Sequence, residues 1–231
     1  MKAGSHTRPE RTSPNSEAVE DYAKTIYALA RREEGAVGTS AIAQRLGVTP
    51  GTVTPMLKRM AELGLVEHVP YRGVTLTPAG EEVALEVIRH HRLLEAYLVE
   101  ALGMPWDKVH AEAEVLEHYI SEDLEERIAL ALGDPSRDPH GDPIPSRDLA
   151  LEQDADGVPL AGVIEGEGGT FSRVSDSDPA MLRFLDELGI RPGAEITVRA
   201  RAPFGGPLTI DVAGSEHAIG GELAERMIIS G

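Results

Sequence analysis

Residues 39–80 read "TSAIAQRLGVTPGTVTPMLKRMAELGLVEHVPYRGVTLTPAG", and their punctuation decides the N-terminal architecture. Thr39 or Ser40 can cap a short helix bearing Ile42, Ala43 and Leu46. Gly47 breaks that helix, and Val48 is expected to pack inward. A second helix, predicted over about 50–63, carries Val53, Leu57, Met60 and Leu63 at the spacing of one helical face. Gly64 ends it. "LVEHVPYRGVTLT" then reads as two short strands around a Tyr71-Arg72-Gly73 turn. Helix, glycine turn, helix and hairpin form a winged helix-turn-helix. A small helical bundle with a hairpin is the alternative.

Working outward, "EAVEDYAKTIYALARRE" (17–33) places Val19, Tyr22, Ala23, Ile26, Tyr27, Leu29 and Ala30 at near-helical spacing, with Gly35 as a stop. The residues before it, 1–15, form a polar tail with Pro and Ser and are expected to be disordered. Helix propensity is strong from Pro78 to about Leu102, where "GMP" interrupts it. A helix is predicted from Trp106 to about Ile120, and Ser121 caps another that ends near Gly133. The many apolar residues here, Val115, Leu116 and Tyr119 among them, are expected to pack on each other or on a second subunit. "GDPSRDPHGDPIPSRD" (133–148) reads as loop, and 149–160 as irregular. From about Ala161, short strands with glycine turns and one helix, "PAMLRFLDELGI", read as a small β-barrel.

The predicted fold class is therefore mainly α with small β. Its parts are a winged helix-turn-helix over 16–77, a helical region over 78–140, a linker over 141–160 and a barrel over 161–231.

Composition narrows the functions. No stretch approaches the roughly 20 apolar residues of a membrane span, and no apolar leader opens the chain, so a soluble, cytoplasmic protein is expected. There is no cysteine, which excludes disulfides, zinc ribbons and thiol catalysis. A bound metal would have to use His, Asp, Glu, carbonyls or water, a donor set that favours harder ions. The net charge of −17 argues against coating nucleic acid by bulk charge. The acid is uneven, however: residues 1–76 hold ten Lys+Arg and eight Asp+Glu, or +2, so the remaining residues carry −19. The first third can still approach DNA.

"HAEAEVLEHYISED" (110–123) is the chemically dense stretch. On a helix, His110, Glu114, Glu117 and His118 share one face. His91 and Glu95 form a second i,i+4 pair, and Asp21 lies on the first helix. Acidic helix faces are usually just solvated. Yet a packed pair of apolar helices does not bury that many ionisable groups without pairing or a metal. Both readings stay open on the residues alone.

In "VHAEA…EHYISED" (109–123), "RHHRLLEAYL" (89–98), "LGMPWDKVH" (102–110), "GDPIP" (141–145), "YAKTIYAL" (22–29) and "GLVEHVPYRGVTLTPAG" (64–80), the chain resembles the diphtheria toxin repressor family of metal-dependent transcription regulators. The resemblance runs from about Ser16 to the end. It implies a homodimer with a DNA-binding domain, a helical dimerisation and metal-binding domain and a C-terminal SH3-like (FeoA-like) domain. The implied function is repression of metal-ion homeostasis genes on double-stranded operator DNA.

The resemblance also implies a primary metal site of Asp21, Glu114, Glu117 and His118. The iron-responsive branch has methionine and cysteine at the first two positions. The carboxylates here match the manganese transport regulator branch, so Mn²⁺ is favoured and Fe²⁺ second. A second site is implied at His91, Glu95 and His110. Iron-type members add a Glu and a Gln from the barrel; those positions fall near Ser172 and Ser175, so that contribution is expected to be lost or replaced. Lys24 stands where short manganese regulators carry a Glu, which argues for separated sites over a close metal pair.

For DNA contact the residues nominated are Thr49, Thr52, Thr54 and Lys58, with Arg59 beside them and Arg72 in the wing. Thr52 and Thr54 could equally be helix caps. Pro55 is unusual beyond a helix's first turn. Two other readings compete: a metalloenzyme using the same carboxylates, and a winged-helix regulator sensing a small organic ligand.

Overall fold

The structure is a computed structural model that describes residues 16–33, 35–69, 71–151, 157–176 and 178–231. The N-terminal tail over 1–15 lies outside them. The chain divides into two compact units, 1–87 and 88–231.

In the first unit, α1 (Ser16–Glu33), α2 (Thr39–Leu46) and α3 (Pro50–Glu62) precede the hairpin β1 (Val66–Val69) and β2 (Gly73–Leu76). The strands pair antiparallel, from Val66 opposite Leu76 to Val69 opposite Gly73. The helical stripes converge on one core that includes Ile26, Ile42, Val53, Leu57, Met60 and Val74. Gly47 turns α2 into α3 in the left-handed region at φ 66°, a conformation open to glycine without a Cβ clash. At Gly73 a Cβ would stand 1.9 Å from the Val37 carbonyl oxygen, where Val37 and Val74 exchange backbone hydrogen bonds. Val48 and Leu63 do not pack inward as their positions had implied. They are 38% and 56% exposed, because each sits at a helix boundary where the chain has already turned off the core-facing stripe.

Helix α4 (Pro78–Glu100) runs on into the second unit, which continues with α5 (Val109–Leu116) and α6 (Glu122–Ala131). Ser121 caps α6 by accepting from the Leu124 N–H. Helix α5 is shorter than the predicted 106–120. Trp106 leaves the helical path to enter the core of the C-terminal sheet domain. There it is fully buried beside Phe171, Leu182, Ile196 and Met227, and its indole N–H donates to the Leu182 carbonyl at 3.2 Å. Burying roughly 200 Å² of tryptophan stabilises the unit by on the order of 5 kcal/mol, far more than two further helical hydrogen bonds would. Val115, Leu116 and Tyr119 are exposed in the single chain.

The sheet domain comprises β3 (Gly157–Pro159), the short 3-10 helix at Leu160–Gly162, β4 (Gly168–Val174), α7 (Pro179–Glu187), β5 (Glu195–Arg201), β6 (Leu208–Val212), β7 (Ser215–Ile219), α8 (Gly221–Arg226) and β8 (Met227–Ser230). The six strands run in the order β3-β8-β4-β5-β6-β7, every neighbouring pair antiparallel. Two readings are corrected here. Strand β3 lies inside the segment read as irregular linker, because three residues are too few to show alternation. "GELAER" is helix α8 rather than strand. The loop over 133–148 is irregular, as expected, but it is packed: Asp138, His140, Gly141 and Pro143–Pro145 are buried. The Val174 N–H donates to the His140 carbonyl at 2.9 Å, and a Cβ on Gly141 would strike the Ser172 carbonyl at 1.9 Å. Among the described residues, no helix is long and apolar enough to cross a membrane.

Candidate metal centre

Helix α4 presents His91 and Glu95 one turn apart, both buried, and α5 brings His110 against them. His91 Nε2 lies 3.0 Å from Glu95 Oε1 and 3.1 Å from His110 Nδ1; His110 Nδ1 lies 3.3 Å from Glu95 Oε1. The fourth member comes from the turn after β4: Asp176 Oδ2 stands 3.0 Å from His110 Nδ1. One donor atom from each of His91, Glu95, His110 and Asp176 falls within a 4.8 Å cluster.

Of the two outcomes expected for the barrel's contribution, lost or replaced, the geometry favours replacement. Ser172 is engaged in the sheet, donating to the Ile228 carbonyl at 3.0 Å, and Asp176 supplies the carboxylate instead. Its alternation phase was no guide, since Asp176 lies beyond the end of β4.

Two further groups, Asp138 and His140, close around Glu95. Its Oε2 lies 3.4 Å from His140 Nδ1, and Glu95, Asp138 and His140 form a fully buried cluster. That 3.4 Å contact pairs charge without hydrogen-bond alignment, so neither buried atom has a hydrogen-bond partner among the described residues. His140 Nε2 faces the Trp106 carbonyl at 3.0 Å, and its ring stacks on the indole at 5.6 Å. The same tryptophan packed in the sheet core thus holds the imidazole. Neither Asp138 nor His140 was singled out from sequence; the "DPH" triplet was the available signal, hidden in a proline-rich loop.

The other set gathers on the far side of the His91 imidazole. His91 Nδ1 lies 2.5 Å from Glu117 Oε2 and 3.7 Å from Glu114 Oε1, and His118 Nε2 is 3.7 Å from Glu117 Oε1. Glu117 is fully buried and Glu114 half-exposed. Asp21, half-buried, lies on α1 in the first unit.

The electrostatics are those of an anion-rich pocket held by protons. Burial alone would push the Glu95 carboxyl up; His91, His110 and His140 outweigh it and hold it well below the usual carboxylate range. Hydrogen bonds to Asp176 and then Glu95 push His110 up to about 10. Burial works against a charged His140, but the adjacent Glu95 carboxylate prevails and raises it to about 9. Asp138 is pushed up to about 8 by burial, then by the charges of Asp142 and Glu95. Buried carboxylates, unaligned polar atoms and imidazoles holding protons fit a divalent cation, which would replace those protons.

On the DNA-binding side, Thr49 and Thr52 pair their hydroxyls at 3.0 Å, and Thr54 donates to the Pro50 carbonyl at 3.2 Å. Thr49 is the N-cap residue of α3, but its side chain makes no capping hydrogen bond. Lys58 and Arg72 are exposed and Arg59 is half-buried.

Residues 15–74 match the iron-dependent repressor N-terminal DNA-binding domain, and 77–146 match the metal-binding and dimerisation domain of the same family. The chain belongs to the iron-dependent repressor family, which includes the diphtheria toxin repressor. Residues 158–230 match the FeoA domain. The iron-dependent repressor IdeR of Mycobacterium tuberculosis is 35% identical over 213 residues, 87% of this chain and 91% of the relative. The diphtheria toxin repressor of Corynebacterium diphtheriae is 39% identical over 151 residues, 64% of this chain and 66% of that one. Among solved structures, a manganese-dependent transcriptional repressor in complex with manganese shares 39% identity at a TM-score of 0.82, covering 92% of this chain and 99% of its own. As a member of this family the chain is a metal-dependent DNA-binding repressor of the class that regulates metal homeostasis, with a dimerisation domain.

Proposed function

We propose that this repressor is activated by Mn²⁺, with Fe²⁺ second, and that it is not an enzyme. The observation that carries the reading is the convergence of His91, Glu95, His110 and Asp176, all nitrogen and oxygen donors, in a chain without cysteine. Carboxylate and imidazole donors suit Mn²⁺, whereas thiolates select softer or later metals. The similarity to a repressor solved with manganese supports the same choice.

Two ligand sets are assigned. Glu114, Glu117 and His118, with Asp21 contributed by α1, form the regulatory set. His91, Glu95, His110 and Asp176 form the second. Each bound cation supplies positive charge that neutralises its carboxylates. Glu95, with Oε1 toward His91 and His110 and Oε2 toward His140, orients the second set. His140 is in turn held by the Trp106 carbonyl. Coupling to DNA then requires only that the DNA-competent dimer bind metal more tightly than the alternative, and the coupling is reciprocal. A swing from mostly inactive to mostly active needs about 5 kcal/mol of differential affinity.

The test is fluorescence anisotropy of the full chain on DNA from its own and nearby promoters, titrated with Mn²⁺, Fe²⁺ and Zn²⁺. Binding should require metal and vanish with chelator. Equal binding in excess chelator overturns the reading. Asp21→Met should shift the ranking toward Fe²⁺, and an unchanged ranking would count against the assignment of Asp21.

A further inference from the structure

We infer that α3 reads operator DNA by shape and thymine methyl contact, with Pro55 as the specificity-determining residue at the centre of its outward face. The inference rests on the DNA-binding reading and adds how bases are discriminated.

Val53, Leu57 and Met60 are buried, so they define the inward side of α3. At 100° per residue, the opposite side runs through Gly51, Pro55, Lys58 and Glu62, and all four are exposed. Thr52 and Thr54, nominated from sequence, lie on the flanks. Their hydroxyls are directed to Thr49 and to the Pro50 carbonyl. In helix-turn-helix docking the N-terminal residues of the second helix meet the base edges. The outermost residues of these first turns are Gly51 and Pro55. Neither side chain has a donor or acceptor, so neither can form the bidentate pairs that arginine makes with guanine or glutamine with adenine. What an apolar ring in the major groove can recognise is the C5-methyl of thymine.

Two observations make Pro55 more than a tolerated oddity. A proline at the sixth helical position deletes the N–H that would bond the Gly51 carbonyl, so it weakens the helix. It is exposed, on the side of α3 away from the buried Val53, Leu57 and Met60. Nor does packing require Gly51: a Cβ there would meet only the Thr49 hydroxyl oxygen, at 3.7 Å. Both residues are explained by what they present outward: a helix shaved smooth at Gly51 and carrying one rigid apolar ridge at Pro55.

The test uses the full chain with Mn²⁺ and a random-sequence duplex pool. The sites it enriches are then resynthesised with each thymine in turn replaced by deoxyuracil, which removes only the methyl. In each half-site, at least one replacement should weaken wild-type binding about 3- to 10-fold. Pro55→Ala should lose that sensitivity while raising Tm, and Pro55→Gln should enrich a different site with adenine opposite the new amide. Uracil tolerated at every position, or the same site selected by Pro55→Gln, overturns the inference alone. A pool that enriches nothing overturns it together with the DNA-binding reading.

Discussion

One imidazole serves two carboxylate sets: His91 Nδ1 lies 2.5 Å from Glu117 Oε2, while its Nε2 lies 3.0 Å from Glu95 Oε1. Both nitrogens of a buried ring are committed, one to each side, so the two sets share a wall. Removing it should disturb both, whereas removing His110 or Asp176 should disturb one. In Mn²⁺ titrations followed by calorimetry, His91→Ala is expected to weaken both binding phases. Asp176→Ala is expected to weaken one phase by about 10-fold or more. Retention of one wild-type phase in His91→Ala would show that the sets are independent.

Metal uptake should expel protons. His110 at about 10 and His140 at about 9 both carry a proton near pH 7.5 in the metal-free protein, and a ligand nitrogen must be neutral. Affinity for Mn²⁺ should therefore rise with pH across the neutral range. Calorimetry at pH 7.5 in buffers of different ionisation enthalpy should give release of roughly one to two protons per chain. A heat independent of buffer would refute this. Stability of the metal-free protein runs the other way. The raised His110 pKa stabilises it fully below the ordinary histidine value of 6.5, and that contribution fades as pH rises toward about 10.

Glu125 links α6 to α4. Its carboxylate accepts from Arg89 at 2.5 Å and pairs with His90 Nε2 at 2.8 Å, and Arg89 also donates to the Pro145 carbonyl at 2.7 Å. Burial opposes the charge, but the hydrogen bonds from His90 and Arg89 hold the group down at about 2. Its contribution is thus present above the ordinary glutamate value of 4.5 and lost as pH falls from there through about 2. Glu125→Ala strands a buried guanidinium and should cost about 3 kcal/mol in chemical denaturation. The variant should also show a flatter stability profile between pH 5 and about pH 3 than the wild type. An unchanged acid profile would be evidence against the link.

Val115, Leu116 and Tyr119 are exposed in the single chain, and they fall in the segment matched to the family's metal-binding and dimerisation domain. Placing Asp at Val115 should weaken the dimer by about 3 kcal/mol, roughly 100-fold in its dissociation constant. Sedimentation at micromolar concentration checks this. A dimer as tight as wild type would remove Val115 from the interface.

What the sequence determined by itself was everything governed by local repetition. Val53, Leu57 and Met60 marked the inward face of α3, and Gly47 the turn before it, because helical rotation per residue is constant and φ near 66° is cheap only for glycine. The same regularity puts His91 with Glu95, and His110 with Glu114. Tertiary structure decided how those pairs meet and what joins them. Asp176 follows a strand end and Asp138 and His140 sit in a proline-rich loop, so no period announced them. They reach Glu95 because Trp106 abandons its helix for the sheet core and draws the loop and the end of β4 inward. That exchange of a few helical hydrogen bonds for a large buried indole is a long-range energetic choice. No local window of residues contains both of its sides.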